Sequence, residues 1–162
     1  MIKIEIIPFL SAGKFKLNEK RNELLPCIDL KLKNTIEEIQ GKDNYIVDDY
    51  GEALAYYNAS NEKLFYVLFV PLPTYELVFK NQNLFALNSG ELFNFFKKLD
   101  SAIHTEDYVG FGSLKYGIDV YAPSFTDDAS SLVEGVSFAI KGYFDTIYSG
   151  KALNINELQK NI

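Results

Sequence analysis

Apolar and polar residues alternate with a period of two in several segments of this chain, a pattern typical of β-strands. Ile2, Ile4 and Ile6 share one side of the first such segment. Further strands are predicted at residues 52–57, 63–70, 74–80, 114–121 and 133–143. The segment at 63–70 is apolar on both sides, so we expect a central, covered strand. Polar turns and prolines separate the strands in the middle of the chain, which predicts an antiparallel meander.

One helix is strongly marked. Asn88 and Glu91 have the spacing of a capping box, in which each side chain satisfies a backbone donor at the helix start. An apolar stripe with helical spacing follows: Leu92, Phe95, Phe96 and Leu99. The pattern predicts a helix at residues 89–99 whose stripe packs on the sheet.

Three other segments have sequence patterns that predict their secondary structure less clearly. Asn18 is expected to cap a short helix that ends at Pro26. Residues 27–42 fit either an edge strand or, at residues 35–39, one turn of helix. The last residues, 154–162, form a short terminal helix or fray.

Composition favours a sheet-rich fold. The chain has 162 residues, the usual size of one domain, and contains 13 Phe, 11 Tyr and no Trp. We therefore predict one globular α+β domain over residues 1–162, in which the last few residues either form a helix or fray. Its antiparallel, aromatic-rich sheet, a meander, is expected to be covered on one face by one or two helices.

The net charge of −6 argues against nucleic acid as a partner, because such binding needs a basic surface. An acidic surface instead suits a basic protein partner. Cys27 is the only cysteine, so no internal disulfide can form, and we expect it to be a small buried residue. No segment approaches the roughly 20 apolar residues of a membrane span. These features predict a cytoplasmic protein that does not enter a membrane.

The reactive side chains do not form a recognisable catalytic set. His104 is the only histidine, and it is either a general base beside Glu106 or Asp107, or a surface histidine near a helix end. Gly110 and Gly112 begin a dinucleotide-binding pattern, but the third glycine is missing. We therefore predict no catalytic residues and no cofactor.

Two aspartate pairs are candidate metal ligands. Asp48 and Asp49 lie on a predicted strand, where neighbouring side chains point to opposite faces and cannot hold one ion. Asp127 and Asp128 lie in a predicted loop that lacks the alternating ligands of a calcium loop. No metal site is predicted.

Two acidic regions that carry aromatic residues remain as candidate binding surfaces. Tyrosine offers a large contact area with a polar tip, and carboxylates around it steer a basic partner. The predicted partner-binding residues are Asp48, Asp49, Tyr50, Glu52, Asp119, Tyr121, Phe125, Asp127 and Asp128. The alternative is that these tyrosines pack within the sheet while the acids only keep the protein soluble.

Residues 116–123, a variable acidic loop and residues 133–145 resemble the closing strand pair of small bacterial immunity proteins. The earlier strands, with the turn at residues 81–85 and the following helix, are similar in layout. The resemblance covers about half the chain, and it transfers no functional residues. It implies an acidic cytoplasmic antidote that occludes the active site of a contact-dependent or other polymorphic toxin.

Three hypotheses follow from the sequence. The first is a non-catalytic partner-binding protein of the immunity type, whose partner is a basic toxin domain. The second is a small-ligand-binding or enzymatic α+β domain, with a pocket that is lined by Tyr and Phe and contains His104 or a carboxylate. The third is a self-associating structural protein, such as a homodimer formed through a sheet edge.

Overall fold

The computed structural model describes residues 1–40 and 43–162. Its strands are β1 (Ile2–Ile7), β2 (Ser11–Ala12), β3 (Phe15–Lys16), β4 (Asn34–Gln40), β5 (Asp43–Asp49), β6 (Ala53–Asn58), β7 (Leu64–Phe69), β8 (Tyr75–Phe79), β9 (Gln82–Asn83), β10 (His104–Glu106), β11 (Gly110–Ser113), β12 (Ile118–Tyr121) and β13 (Gly135–Ala139). Its α-helices are α1 (Arg21–Leu24), α2 (Ser89–Leu99), α3 (Tyr143–Tyr148) and α4 (Ile155–Lys160). None of the helices in these ranges has the length and apolar character needed to cross a membrane.

The strands form two sheets, and the α+β prediction is confirmed. The larger sheet has eight strands in the order β10-β11-β12-β13-β7-β6-β5-β4, and all its neighbours are antiparallel. The smaller sheet has the order β3-β2-β1-β8-β9, in which β1 and β8 are parallel. Consecutive strands are antiparallel neighbours from β4 to β7 and again from β10 to β13, so the large sheet contains two meanders. The prediction that β8 continues the first meander is wrong, because the chain leaves the large sheet after β7, through Pro71 and Pro73, and β8 pairs with β1.

The two faces of the large sheet have different surroundings. We call the face that carries Val67 and Phe69 the inner face; Phe69 packs there against Phe15 of β3 and Tyr75 of β8, with ring centroids 5.7 and 6.2 Å apart. The opposite face, the outer face, carries Leu68 and is covered at one end by α3. The main apolar core therefore lies between the sheets, and the outer face stays partly open.

Helix α2 confirms its sequence prediction in detail. The Asn88 side chain accepts a hydrogen bond from the Glu91 N–H, and the Glu91 carboxylate accepts one from the Asn88 N–H, both at 2.9 Å. Leu92 and Phe96 are buried, and Phe96 stacks on Phe79 of β8 at a centroid distance of 5.9 Å. The apolar stripe therefore packs on a sheet, as its spacing indicates.

In the first forty residues, the predictions for Asn18 and Cys27 are wrong, and the open alternative for the segment that contains Thr35 is decided in favour of a strand. Helix α1 begins after Lys20, whereas Asn18 has a φ of 65° and lies in a turn, so Asn18 is not its cap. Thr35 is not helical, because strand β4 pairs along its length with β5. Residues 41–42 of that ambiguous segment lie outside the described residues. Cys27, expected to be buried, is exposed.

The second half of the chain has shorter strands than its alternation predicts. A turn that contains Gly117, with a φ of 63°, precedes β12, and β13 ends before Gly142, where a φ of 87° starts α3. The residues predicted as strand at 114–117, 133–134 and 140–143 are not strand. At the end of the chain, α4 forms, and Gln159 of this helix accepts a hydrogen bond from Asn58 at 3.0 Å.

Candidate functional site

A single row of residues crosses the outer face of the large sheet. Strand register places its members directly opposite one another, from β5 to β10, in the order Asp49, Leu54, Leu68, Ser137, Asp119, Gly112 and His104. Directly opposite residues share a face of the sheet. Two sequence-predicted residues, Asp49 and Asp119, therefore share the outer face, although four strand spacings of roughly 4.8 Å separate them.

The central part of this row forms the floor of a groove of about 390 Å³. The groove is lined by Tyr66, Leu68, Val70, Asp119, Tyr121, Glu134, Gly135 and Ser137. Gly135 leaves space between two flanking side chains, since a Cβ there would lie 3.1 Å from a Leu68 methyl and 3.7 Å from the Tyr121 Cβ. We call this feature the outer groove. Its mixture of tyrosine, apolar and acidic residues suits a ligand that is both apolar and cationic.

Helix α3 bounds the outer groove at one end. Tyr143 packs on Tyr66 with ring centroids 5.3 Å apart, and Tyr148 stacks on His104 at 3.8 Å. The Tyr148 hydroxyl donates a hydrogen bond to the Asp119 carboxylate. Gly112, opposite Asp119, leaves room for this contact, because a Cβ at that position would lie 2.9 Å from the Tyr148 hydroxyl oxygen.

Asp119 is the half-buried carboxylate of the outer groove, and its surroundings do not favour its charge. Burial raises the pKa of Asp119 to about 6, and Glu106 adds to the increase, while the hydrogen bonds from Tyr148 and the Val120 backbone oppose it. Within residues 1–40 and 43–162, no lysine, arginine or histidine forms an ion pair with Asp119. The groove therefore contains a carboxylate without a cationic partner of its own.

Asp48 has the opposite surroundings on the inner face. The Arg21 guanidinium donates to both of its carboxylate oxygens, at 2.8 and 2.9 Å, and the Thr35 hydroxyl donates at 2.8 Å. Asp48 is 0% exposed, and Tyr50 is 1% exposed and packs against Phe15. This corrects the expectation that Asp48 and Tyr50 lie on an exposed partner surface.

The remaining residues of the first acidic region have local partners. Asp49 accepts a hydrogen bond from the Gly51 N–H at 2.7 Å, and Glu52 accepts one from the Thr74 hydroxyl at 3.2 Å. Both are half-buried. Because β5 is regular, Asp48 and Asp49 lie on opposite faces, as the sequence pattern indicates.

The second acidic region forms a loop that begins and ends at the outer groove. The Glu134 N–H donates to the Tyr121 carbonyl at 2.9 Å and so closes the loop. Asp127 and Asp128 are exposed on it, and the Ser130 N–H and hydroxyl hold the pKa of Asp128 below its usual value. Phe125 instead packs inward, on Phe93 and Phe111.

The structure thus brings Asp119 and Tyr121 together and adds residues that sequence reasoning missed. Tyr66, Glu134 and Gly135 line the same groove, and only strand register places them there. His104, considered as a general base or a surface histidine, lies in β10 against Tyr148. In the described ranges no three histidine, cysteine, aspartate or glutamate side chains cluster as metal ligands would.

The described residues around the outer groove supply binding chemistry: aromatic area, an apolar floor and negative charge. Comparison with known proteins found no matching family model, no matching curated protein and no matching solved structure.

Proposed function

We propose that this chain is a non-catalytic protein that binds a basic protein partner through its outer groove. The observation that carries the proposal is Asp119, a half-buried carboxylate that lies in an open groove and has no cation paired with it in the described residues. A partner that supplies a positive charge at this position would compensate the cost of burying the carboxylate.

The surroundings of the groove support a protein as the partner. Tyr66 and Tyr121 offer aromatic contact area, and Tyr121 is 45% exposed. The loop that carries Asp127 and Asp128 extends the negative potential beyond the groove. Together with the net charge of −6, these groups would steer a basic partner toward the outer face.

The finer proposal is a cytoplasmic immunity protein that neutralises a bacterial toxin by covering its active site. Its support is the resemblance of residues 116–123 and 133–145 to immunity proteins, since these residues include the two strands beneath the groove. Inhibition would be steric and electrostatic, and the chain would perform no chemistry on the toxin.

The test begins with the gene neighbourhood, where the proposal expects a toxin reading frame immediately upstream; its absence would reject the immunity role, and its product would be the partner for the binding assay. Glu134→Lys reverses a charge at the groove, and Glu157→Lys makes the same change on exposed α4 as a matched control. We expect Glu134→Lys to weaken binding at least about tenfold and to abolish protection of cells from the toxin. Equal effects of the two variants on affinity, or no effect of either, would reject the outer groove as the docking site.

A second experiment tests steering by the loop. Charge reversal of Asp127 and Asp128 to lysine should slow association about tenfold at low salt and leave dissociation almost unchanged, because both residues are exposed. Stopped-flow mixing at low and high salt measures both rates. An association rate that does not change at low salt would exclude this loop from the encounter.

A further inference from the structure

We infer that the outer groove is a receptor for the guanidinium group of one arginine side chain of the protein partner. This inference rests on the proposed function and names the chemistry of the contact. It starts from the contrast between two carboxylates of the same sheet: buried Asp48 is paired with Arg21 of the same chain, whereas half-buried Asp119 lies in a groove without such a partner.

The groups that line the groove around Asp119 are suited to a cation. Glu134 lines the groove, and Glu106 of β10 interacts unfavourably with Asp119. From α3, Tyr148 contributes a neutral hydroxyl, and its ring separates the groove from His104 by stacking on the imidazole. No lysine or arginine is among the lining residues, so nothing in the groove would repel a positive ligand.

The neighbouring rings favour arginine over lysine. Tyr66 and Tyr121 line the same groove as Asp119, and a planar guanidinium stacks on aromatic rings while it binds a carboxylate through parallel N–H groups. An ammonium is a more strongly hydrated point charge, and it gains less from a partly buried, aromatic site. The apolar floor at Leu68 suits the aliphatic part of a long side chain.

The size of the groove is also consistent with one inserted side chain. Its volume of about 390 Å³ is at the lower end of the range for small-molecule sites. Two glycines shape the groove because they have no side chain. Gly135 leaves the centre open beside Leu68, and Gly112 leaves room for the side chains of Asp119 and Tyr148. A partner would therefore insert an anchor residue rather than lie flat on the sheet.

The experiment titrates the isotope-labelled protein with N-acetyl-arginine amide at pH 7.5 and follows backbone amide resonances by NMR. N-acetyl-citrulline amide has nearly the same shape without the charge, and N-acetyl-lysine amide has the charge without the planar group. We expect the arginine probe to shift the resonances of Tyr121, Gly135 and Ser137, with a dissociation constant on the order of millimolar. The lysine probe should bind several-fold more weakly, and the citrulline probe should give no shifts.

Two variants and a control locate the site. Asp119→Asn should weaken arginine binding at least tenfold, whereas Asp29→Asn, at an exposed residue that lies beside β1 and β3 and outside the groove, should leave it unchanged. Leu68→Arg keeps Asp119 and places a guanidinium in the same row as Ser137, so it should abolish the response by filling the groove from within. Wild-type binding by Asp119→Asn, equal binding of the lysine probe, or shifts centred on residues 124–131 would each overturn the inference.

This experiment needs no partner protein, so it separates the two proposals. If the toxin binds and Glu134→Lys weakens it while the arginine probe gives no shifts, the arginine receptor is wrong and the docking site stands. If the probe binds at the groove but Glu134→Lys has no effect on the toxin, the cation site stands and the proposed docking site is wrong.

Discussion

Asp48 and Asp119 lie on opposite faces of the same sheet, and the protein surrounds them differently. On the inner face, Asp48 is fully buried and accepts hydrogen bonds from Arg21 and Thr35. On the outer face, Asp119 is partly buried in an open groove, and its side-chain donor is the neutral Tyr148 hydroxyl. The Asp48 carboxylate is used in hydrogen bonds that stabilise the fold, whereas the Asp119 carboxylate can still bind a ligand.

Asp48 and Asp119 have opposite effects on the stability of the fold. In a buried ion pair with all its hydrogen bonds, each charge compensates the other. Removal of one partner leaves the other charge buried without compensation, and the fold loses stability. A buried carboxylate without a cation destabilises the folded state whenever it is ionised, as its raised pKa shows. Retention of a destabilising group in a groove is typical of a functional site.

The largest expected effect is at the inner carboxylate. Asp48→Asn should lower the free energy of unfolding by about 3 kcal/mol, because Arg21 loses its charged partner. Urea denaturation at pH 7 measures it, with Asp127→Asn as a surface control that removes the same charge. A loss below about 1 kcal/mol would show that Arg21 is satisfied by solvent, and that the two aspartates differ less than proposed.

The next largest expected effect is at Asp119, where substitution should raise the free energy of unfolding rather than lower it. The folded-state pKa of Asp119, about 6, is above its ordinary value of 3.8, so above pH 6 the ionised group destabilises the fold. As the pH falls from 6 to 4, Asp119 is protonated in the folded protein before it is protonated in the unfolded chain. The free-energy cost of its buried charge therefore disappears. Asp119→Asn should therefore stabilise the protein by about 2 kcal/mol at pH 7.5, discounted for partial exposure, and by almost nothing at pH 4.

Urea denaturation at both pH values tests this prediction. Asp127→Asn again serves as the control, and its effect on stability should depend only weakly on pH. Destabilisation by Asp119→Asn at pH 7.5 would mean that the carboxylate is satisfied within the fold, like Asp48, and the comparison would fail.

The smallest expected effect is a change in the pKa of Asp119. Tyr148→Phe removes the hydroxyl whose hydrogen bond lowers the pKa of Asp119, so the pKa should rise above about 6. Carboxyl-carbon NMR titration measures this value directly. Tyr108→Phe, at a residue that is 68% exposed, is the matched control and should leave the titration of Asp119 unchanged. An unchanged pKa in Tyr148→Phe would place the hydroxyl outside the site.

Local patterns in the sequence predicted the elements that local interactions stabilise. The capping box at Asn88 and the stripe through Phe96 were sufficient for α2, because these residues lie within three turns of one another. Alternation predicted most of the strands, and it also indicated that Asp48 and Asp49 occupy opposite faces. The α+β class followed from these elements.

Only the tertiary structure decided which strands meet and which acids are satisfied. Alternation fixes which side chains share a face of one strand, but it does not specify the neighbouring strand or its register. Asp48 and Asp119 therefore look equivalent in the sequence, whereas Arg21 and Thr35 reach Asp48 from 27 and 13 residues away, and Tyr148 reaches Asp119 from 29. Long-range packing separates the two, because burial and hydrogen-bond partners, rather than residue type, determine the state of a carboxylate.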